Sequence, residues 1–221
     1  GTSGIGLAAA IELNALGAKV VAIGRDPSKA EGTPGISLRQ CDVRDREALA
    51  KLFPEQAPFD ILVSAATGGS RAVGPFLQMD LDSYQASFDK LWGYTNVVRL
   101  GAEHLSTRGC IVLVSGMPAK RAKPGQVALA SVGGAVEQFV RAIAPELAPR
   151  RINVVSPGII DTPMFGPDGE DRKRKLGEMT SKHVIPRPGT PAEVAKGIVF
   201  LVQNEFVTGT TVDVDGGWLL S

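Results

Sequence analysis

The chain has 221 residues, 43% of them hydrophobic, 21% charged and 5% aromatic, the make-up of one compact globular domain. Lys plus Arg number 24 against 23 Asp plus Glu, so a net charge of +1 supplies no long-range field to draw in nucleic acid or an anionic membrane. This excludes a disordered tail, a collagen-like fibre and a small disulfide scaffold. Cys41 and Cys110 each lie in or beside an apolar stretch and read as reduced thiols filling core space. No apolar run approaches the roughly 18 residues of a membrane span, and no basic-then-apolar segment opens the chain. The expectation is a soluble, cytoplasmic protein with a small-molecule substrate and no metal, nucleic-acid or membrane partner.

In chain order, the opening GTSGIG leads into an apolar helix over Ile5–Leu16 that stops at Gly17, then strands over Lys19–Ile23 and Ile36–Gln40. A helix is expected over Arg44–Leu52, a strand over Ile61–Ser64, one long helix over Asp80–His104 and a strand over Cys110–Ser115. Helix Gln126–Ala148 carries Val136, Phe139, Val140, Ile143 and Leu147 on one face, a stripe that is core or an interface. A strand over Ile152–Ser156 follows. Thr190-Pro191-Ala192-Glu193, a capping box with Pro at the first helical position, opens the last helix, Pro191–Gln203, before a final strand over Thr211–Val214. This alternation describes an α/β protein: a Rossmann-type doubly wound parallel sheet with helices on both faces, one domain over residues 1–221. Over about residues 163–188 the pattern fails, as in a lid-like insertion. Its basic run Arg172-Lys173-Arg174-Lys175 reads as the solvated face of a short helix balanced by Asp168, Glu170, Asp171 and Glu178.

GTSGIG followed at once by a helix lets the backbone at Gly4 and Gly6 approach a pyrophosphate on the helix N-terminus. The strand over Lys19–Ile23 completes the length of a dinucleotide-binding unit. Such a fold needs a central strand directly before the loop, so some eight to ten further residues are expected ahead of Gly1 (about the length of a strand). After Ile23 the chain reads Gly24-Arg25-Asp26: a small residue and an Arg where NAD-binding folds place an acid, leaving room and charge for a 2′-phosphate. NADP(H) is the expected cofactor.

These residues resemble the short-chain dehydrogenase/reductase family along almost the whole chain. GTSGIG resembles its nucleotide loop, Cys41-Asp42-Val43 its adenine-contacting Asp-Val, and Ile61-Leu62-Val63-Ser64-Ala65-Ala66 its Asn-Asn-Ala-Gly strand end, with Ser64, Ala65 and Thr67 where Asn, Asn and Gly are usual. Arg151 through Gly158 looks like the segment meeting the nicotinamide, and Thr208-Gly209 through Gly217 like the C-terminal strand. The resemblance implies cofactor contacts from Gly1, Thr2, Ser3, Gly4, Ile5 and Gly6 at the pyrophosphate and Asp42 and Val43 at the adenine. It implies Ala65 and Ala66 at the ribose, and Pro157, Gly158, Ile159 and Thr162 at the nicotinamide, beside Arg25 at the 2′-phosphate. It also implies a homodimer or homotetramer.

The catalytic set departs from the family. Aligned through Glu137 and Glu146-Leu147-Ala148-Pro149, the Tyr position falls on Leu129, the Lys position on Gly133, the Ser position on Gly116 and the Asn position on Lys90. Gly133 and Gly134 sit in a helix interior at a cost of about 1 kcal/mol each relative to Ala, for open space or for close helix packing. The candidate donors are Lys90, with Tyr94 a turn away, and Ser115; His183 is a weaker candidate, and Lys120, Arg121 and Lys123 are placed to orient an acidic substrate. The expected function is an NADP(H)-dependent oxidoreductase with a non-standard proton donor. The alternatives are a non-redox catalyst of cyclisation or dehydration in the space left by Leu129 and Gly133, and a non-catalytic NADP(H)-binding protein.

Overall fold

The computed structural model describes residues 1–67 and 71–221. Strands β1 (Val20–Gly24), β2 (Ile36–Gln40), β3 (Phe59–Ser64), β4 (Leu105–Val114), β5 (Arg151–Pro157) and β6 (Thr211–Val214) all run parallel. They form a two-stranded piece, β1-β2, and a four-stranded piece, β3-β4-β5-β6. Among the described residues no ladder joins β1 to β3.

Helices α1 (Gly4–Ala15) and α7 (Pro191–Gln203) cover one face, packing Ala9, Val194, Ile198 and Leu201 on Val112, Val114 and Val155. On the other face, α4 (Asp89–Gly101) and α5 (Val127–Leu147) set Tyr94, Val98, Val136 and Val140 on Ile111, Leu113, Ile152 and Val154. A third cluster joins α2 (Arg46–Gln56) to α4 through Leu49, Leu52, Phe53 and Val97, with the buried Cys41. β5 is buried at every position, as a central parallel strand must be. Both cysteines are free and buried, and burial pushes both thiols up.

The stripe from Val136 to Leu147 therefore belongs to the monomer core. By length and composition α5 passes for a membrane span, contrary to the sequence reading that no apolar run comes near one. Its inward face instead covers the sheet and carries Glu137, a buried carboxylate that accepts a hydrogen bond from Ser115.

The long helix expected over Asp80–His104 is broken into α3 (Leu81–Ala86), α4 and a terminal 3-10 turn, Ala102–His104. The cause is Ser87. Its buried hydroxyl donates back to the Ser83 carbonyl and accepts from the Ala72 amide, each at 2.9 Å, which ends one helix and ties the preceding loop to the start of the next. In the lid segment, α6 (Glu170–Thr180) bears the basic run, and its charges are spent locally: Lys173 on Glu170, Arg174 on Asp171 and Glu178. Arg172 reaches Asp161 at 2.8 Å and Asp168 at 3.3 Å, fastening α6 to the loop after β5. At the start of α7 the capping box forms as expected, and Arg187 with the Thr190 amide draws the Glu193 carboxyl down to about 2.

Candidate active site

Strands end in loops that meet at the carboxyl edge of the sheet, beginning with the glycine turn. Ser3 is the extended N-cap of α1; its side chain makes no capping bond and no acid stands in the first turn, so the first amides remain open to an anion. Gly4 has φ +51°, and a Cβ there would lie 3.5 Å from Thr162 Cγ2; a Cβ on Gly6 would lie 2.9 Å from Gly1 Cα and 3.5 Å from Ala65 Cβ. Glycine is thus required at position 4 by its positive φ and at position 6 by the Gly1 backbone, while the loops after β3 and β5 lie at ordinary contact distance. Thr2 is buried and donates to the Asp26 carbonyl, Gly1 donates to the Ile23 carbonyl, and Ile5 packs into the core.

At the end of β1, Gly24 is dictated by Thr2, whose Oγ1 would stand only 2.3 Å from a Cβ. Asp26 is held by the Ser28 hydroxyl at 2.6 Å and by Lys29 at 3.6 Å, which lower its carboxyl and occupy it. Arg25 is exposed, and its charge contributes to the lowering of Asp42. The largest cause of that lowering is Arg44, whose guanidinium bridges Asp42 at 2.8 Å and Asp89 at 3.0 Å. Val43 packs against Gly93 of α4, where a Cβ would come within 2.6 Å of its Cγ2. Ala65 faces Gly6, Ala66 packs on the α4–α5 core, and Pro157 ends β5 buried. Gly158 is required because Asp215 backbone would lie 2.8 Å from a Cβ; Ile159 is buried, and Thr162 meets Gly4.

The chemistry of these positions suits a nicotinamide dinucleotide: open backbone amides at the start of α1, apolar Val43, Ala65 and Ile159, and the exposed Arg25 guanidinium beside Gly24.

Lys90, in the first turn of α4, donates from Nζ to the Ser115 carbonyl at 3.1 Å. Desolvation, with the charge of Arg71 second, lowers its ammonium to about 8. Tyr94 lies below it, ring centre 5.7 Å from Nζ, but its hydroxyl is buried and donates to the Val114 carbonyl, and burial pushes its acidity away from the neutral range. Tyr84 donates to Ser131 Oγ. Ser115, expected to offer its hydroxyl to a substrate, turns it into α5 instead, toward the Gly133 carbonyl at 3.1 Å and Glu137 Oε1 at 3.2 Å.

Gly133 does not open space either: a Cβ there would meet Ala119 Cβ at 2.9 Å and Ser115 Oγ at 3.3 Å. Its glycine serves the packing of α5 on the 3-10 turn Met117–Ala119. Leu129 is half-buried one turn earlier, and Gly116 has extended backbone.

Lys120 pairs with Asp213, Arg121 donates to the Trp218 and Leu219 carbonyls, and Lys123 lies 4.6 Å from the Trp218 ring centre. Of the three, only Lys120 is neutralised by a carboxylate among the described residues, while Arg121 and Lys123 are held against the C-terminal turn. His183 is buried rather than solvent-facing, its ring 5.1 Å from that of Trp218, and burial lowers its basicity. The cation that sequence reasoning missed is Arg71, in the loop after β3, with its guanidinium on the Met164 sulfur. No local motif marks it; the tie from Ala72 to Ser87 brings it to Lys90.

The parallel α/β fold and the glycine turn at α1 define a dinucleotide-binding protein of the Rossmann class. A family model described as enoyl-(acyl carrier protein) reductase matches residues 1–219. The chain belongs to the short-chain dehydrogenase/reductase family. It is 31% identical to the L-xylulose reductase of Bos taurus over 98% of this chain and 92% of that one. Among solved structures, a short chain dehydrogenase/reductase family protein superposes with a TM-score of 0.86 at 31% identity, covering 98% of this chain and 93% of the other. A small-chain dehydrogenase in complex with NADPH superposes at 0.84 and 28% identity, covering 100% and 96%.

Proposed function

We propose that the protein is an NADP(H)-dependent oxidoreductase that reduces a carbonyl, with Lys90 rather than a tyrosine giving the proton. Arg25 would take the 2′-phosphate, since Gly24 offers no acid and Asp26 is already occupied. The Gly1–Gly6 backbone would hold the pyrophosphate, Asp42 and Val43 the adenine, Ala65 and Ala66 the ribose, and Pro157 through Thr162 the carboxamide. NADPH, when bound, supplies the hydride.

The observation that carries the reading is Lys90. One of its three N–H groups is fixed on the Ser115 carbonyl at 3.1 Å, which leaves two to meet a carbonyl oxygen as negative charge develops there. An ammonium lowered to about 8 is still protonated at neutral pH yet gives up its proton readily, the condition for a general acid. Ser115 acts through its carbonyl, as the group that aims Lys90, and not through its hydroxyl. The crowding of Gly133 by Ala119 favours the redox reading over a non-redox catalyst that would use space at Leu129 and Gly133. The relative named above as a reductase and the NADPH-bound structural neighbour favour the redox reading.

The test is absorbance at the nicotinamide band with a panel of ketones, imines and quinones. The wild-type chain should consume NADPH with at least one ketone, and Lys90→Gln should lower kcat by about 10²–10⁴-fold with NADPH binding intact. No consumption with any acceptor despite tight NADPH binding would contradict the proposal.

A further inference from the structure

Most cations around the cleft have their own partners: Arg44 bridges Asp42 and Asp89, Lys120 meets Asp213, and Arg172 meets Asp161 and Asp168. Arg121 is spent on backbone carbonyls and Lys123 lies over the Trp218 ring. Two are different. Among the described residues, neither Lys90 nor Arg71 has a carboxylate within 4.0 Å, and the residues 68–70, Gly-Gly-Ser, carry none. Lys90 has only the Ser115 carbonyl, and Arg71 lies against Met164, a thioether that offers no charge.

Both are held firmly. Ser87 Oγ takes the Ala72 amide at 2.9 Å, and the Gly74 amide donates to the Gly125 carbonyl at 2.9 Å, so the loop bearing Arg71 is pinned to the starts of α4 and α5. Met164 lies two residues beyond Thr162, which touches Gly4, so Arg71 lies on the lid side of the cleft and Lys90 at the end of β4. Lys90 is half-buried and Arg71 exposed, and neither positive charge has a counter-ion within 4.0 Å among the described residues, so an arriving anion would meet two unpaired cations.

We propose that Arg71 and Lys90 form a receptor for an oxo acid, with the Arg71 guanidinium taking the substrate carboxylate and Lys90 meeting its carbonyl oxygen. A planar guanidinium matches a carboxylate in two parallel hydrogen bonds, and the free N–H groups of Lys90 suit a single oxygen beside it. The carbonyl half rests on the reading of Lys90 as donor; the carboxylate half stands on Arg71 alone.

The experiment is calorimetric titration of the full chain, saturated with NADP+, with oxamate, its neutral ethyl ester and acetylphosphonate. The wild-type chain should bind oxamate at least about tenfold tighter than the ester, the worth of one charge-assisted contact. Arg71→Gln should abolish that preference and Arg71→Lys should restore part of it, both with unaltered NADPH affinity and Tm. Equal binding of acid and ester by the wild-type chain, or an undiminished preference in Arg71→Gln, overturns the proposal. Tighter binding of acetylphosphonate than oxamate by about tenfold or more overturns the carboxylate assignment in favour of a phosphate-type group. An acid preference that vanishes in Arg71→Gln, alongside unchanged turnover in Lys90→Gln, upholds the carboxylate site and refutes only the donor role.

Discussion

In the proposed site Arg25 and Arg71 would stand at the two ends of the cleft, each meeting an anion through the same guanidinium chemistry. Arg25 is exposed, with no carboxylate within 4.0 Å among the described residues, next to Gly24, which carries no acid. A charge-assisted contact of this kind contributes about 1.5–3 kcal/mol, so Arg25→Ala should raise the KM for NADPH by about 10–100-fold and leave that for NADH unchanged. Steady-state kinetics with both nucleotides checks this, and equal losses would move the 2′-phosphate elsewhere. Gly24, Arg25 and Lys90 were legible in the sequence because each occupies a position defined by spacing from a motif. The direction of the Ser115 hydroxyl was not, because it depends on how closely α5 approaches β4. Arg71 was illegible for a similar reason: its place comes from a hydrogen bond between Ala72 and a serine 15 residues further on.

At the scale of the element, the two adjacent glycines of α5 sit in different surroundings. Gly133 presses against Ala119, while a Cβ on neighbouring Gly134 would meet nothing within 4 Å. Gly133→Ala should therefore cost about 1–3 kcal/mol through overpacking. Gly134→Ala should gain up to about 1 kcal/mol from helix propensity. Thermal unfolding of the two variants checks the pair, and a stable Gly133→Ala would reopen the case for space at that site. The boundaries of α1, α7 and the strands were readable from period and caps. The break between α3 and α4 was not, because Ser87 is an ordinary helix residue until its hydroxyl meets the Ala72 amide.

Across the whole molecule, two helical layers hold a parallel sheet whose carboxyl edge is closed by the segment after β5. Met117, Ile159, Leu176 and Trp218 form a small core of their own beneath it, and Arg172, with 12% of its side chain exposed, fastens it to Asp161 and to the Gly166 carbonyl. Arg172→Met should loosen this cover without unfolding the sheet, and chymotrypsin should cut at Phe165 faster than in the wild-type chain. An unchanged cutting rate would mean that the small core alone holds the segment. The two-layer architecture was readable because alternating strand and helix periods leave few other topologies. The cover was the least readable part, since its contacts come from ion pairs and an aromatic end rather than from a repeating pattern.

If the Lys90 ammonium gives the proton, as proposed, the pH dependence of kcat/KM for ketone reduction shows it most directly. Because burial lowers Lys90 to about 8, the acid form is present below that pH and is lost above it. The prediction is a plateau through neutrality, a fall of about tenfold per pH unit above about 8, and loss of this limb with most of the rate in Lys90→Gln. A profile that is flat from pH 7 to 10, or the same limb surviving in Lys90→Gln, would contradict it.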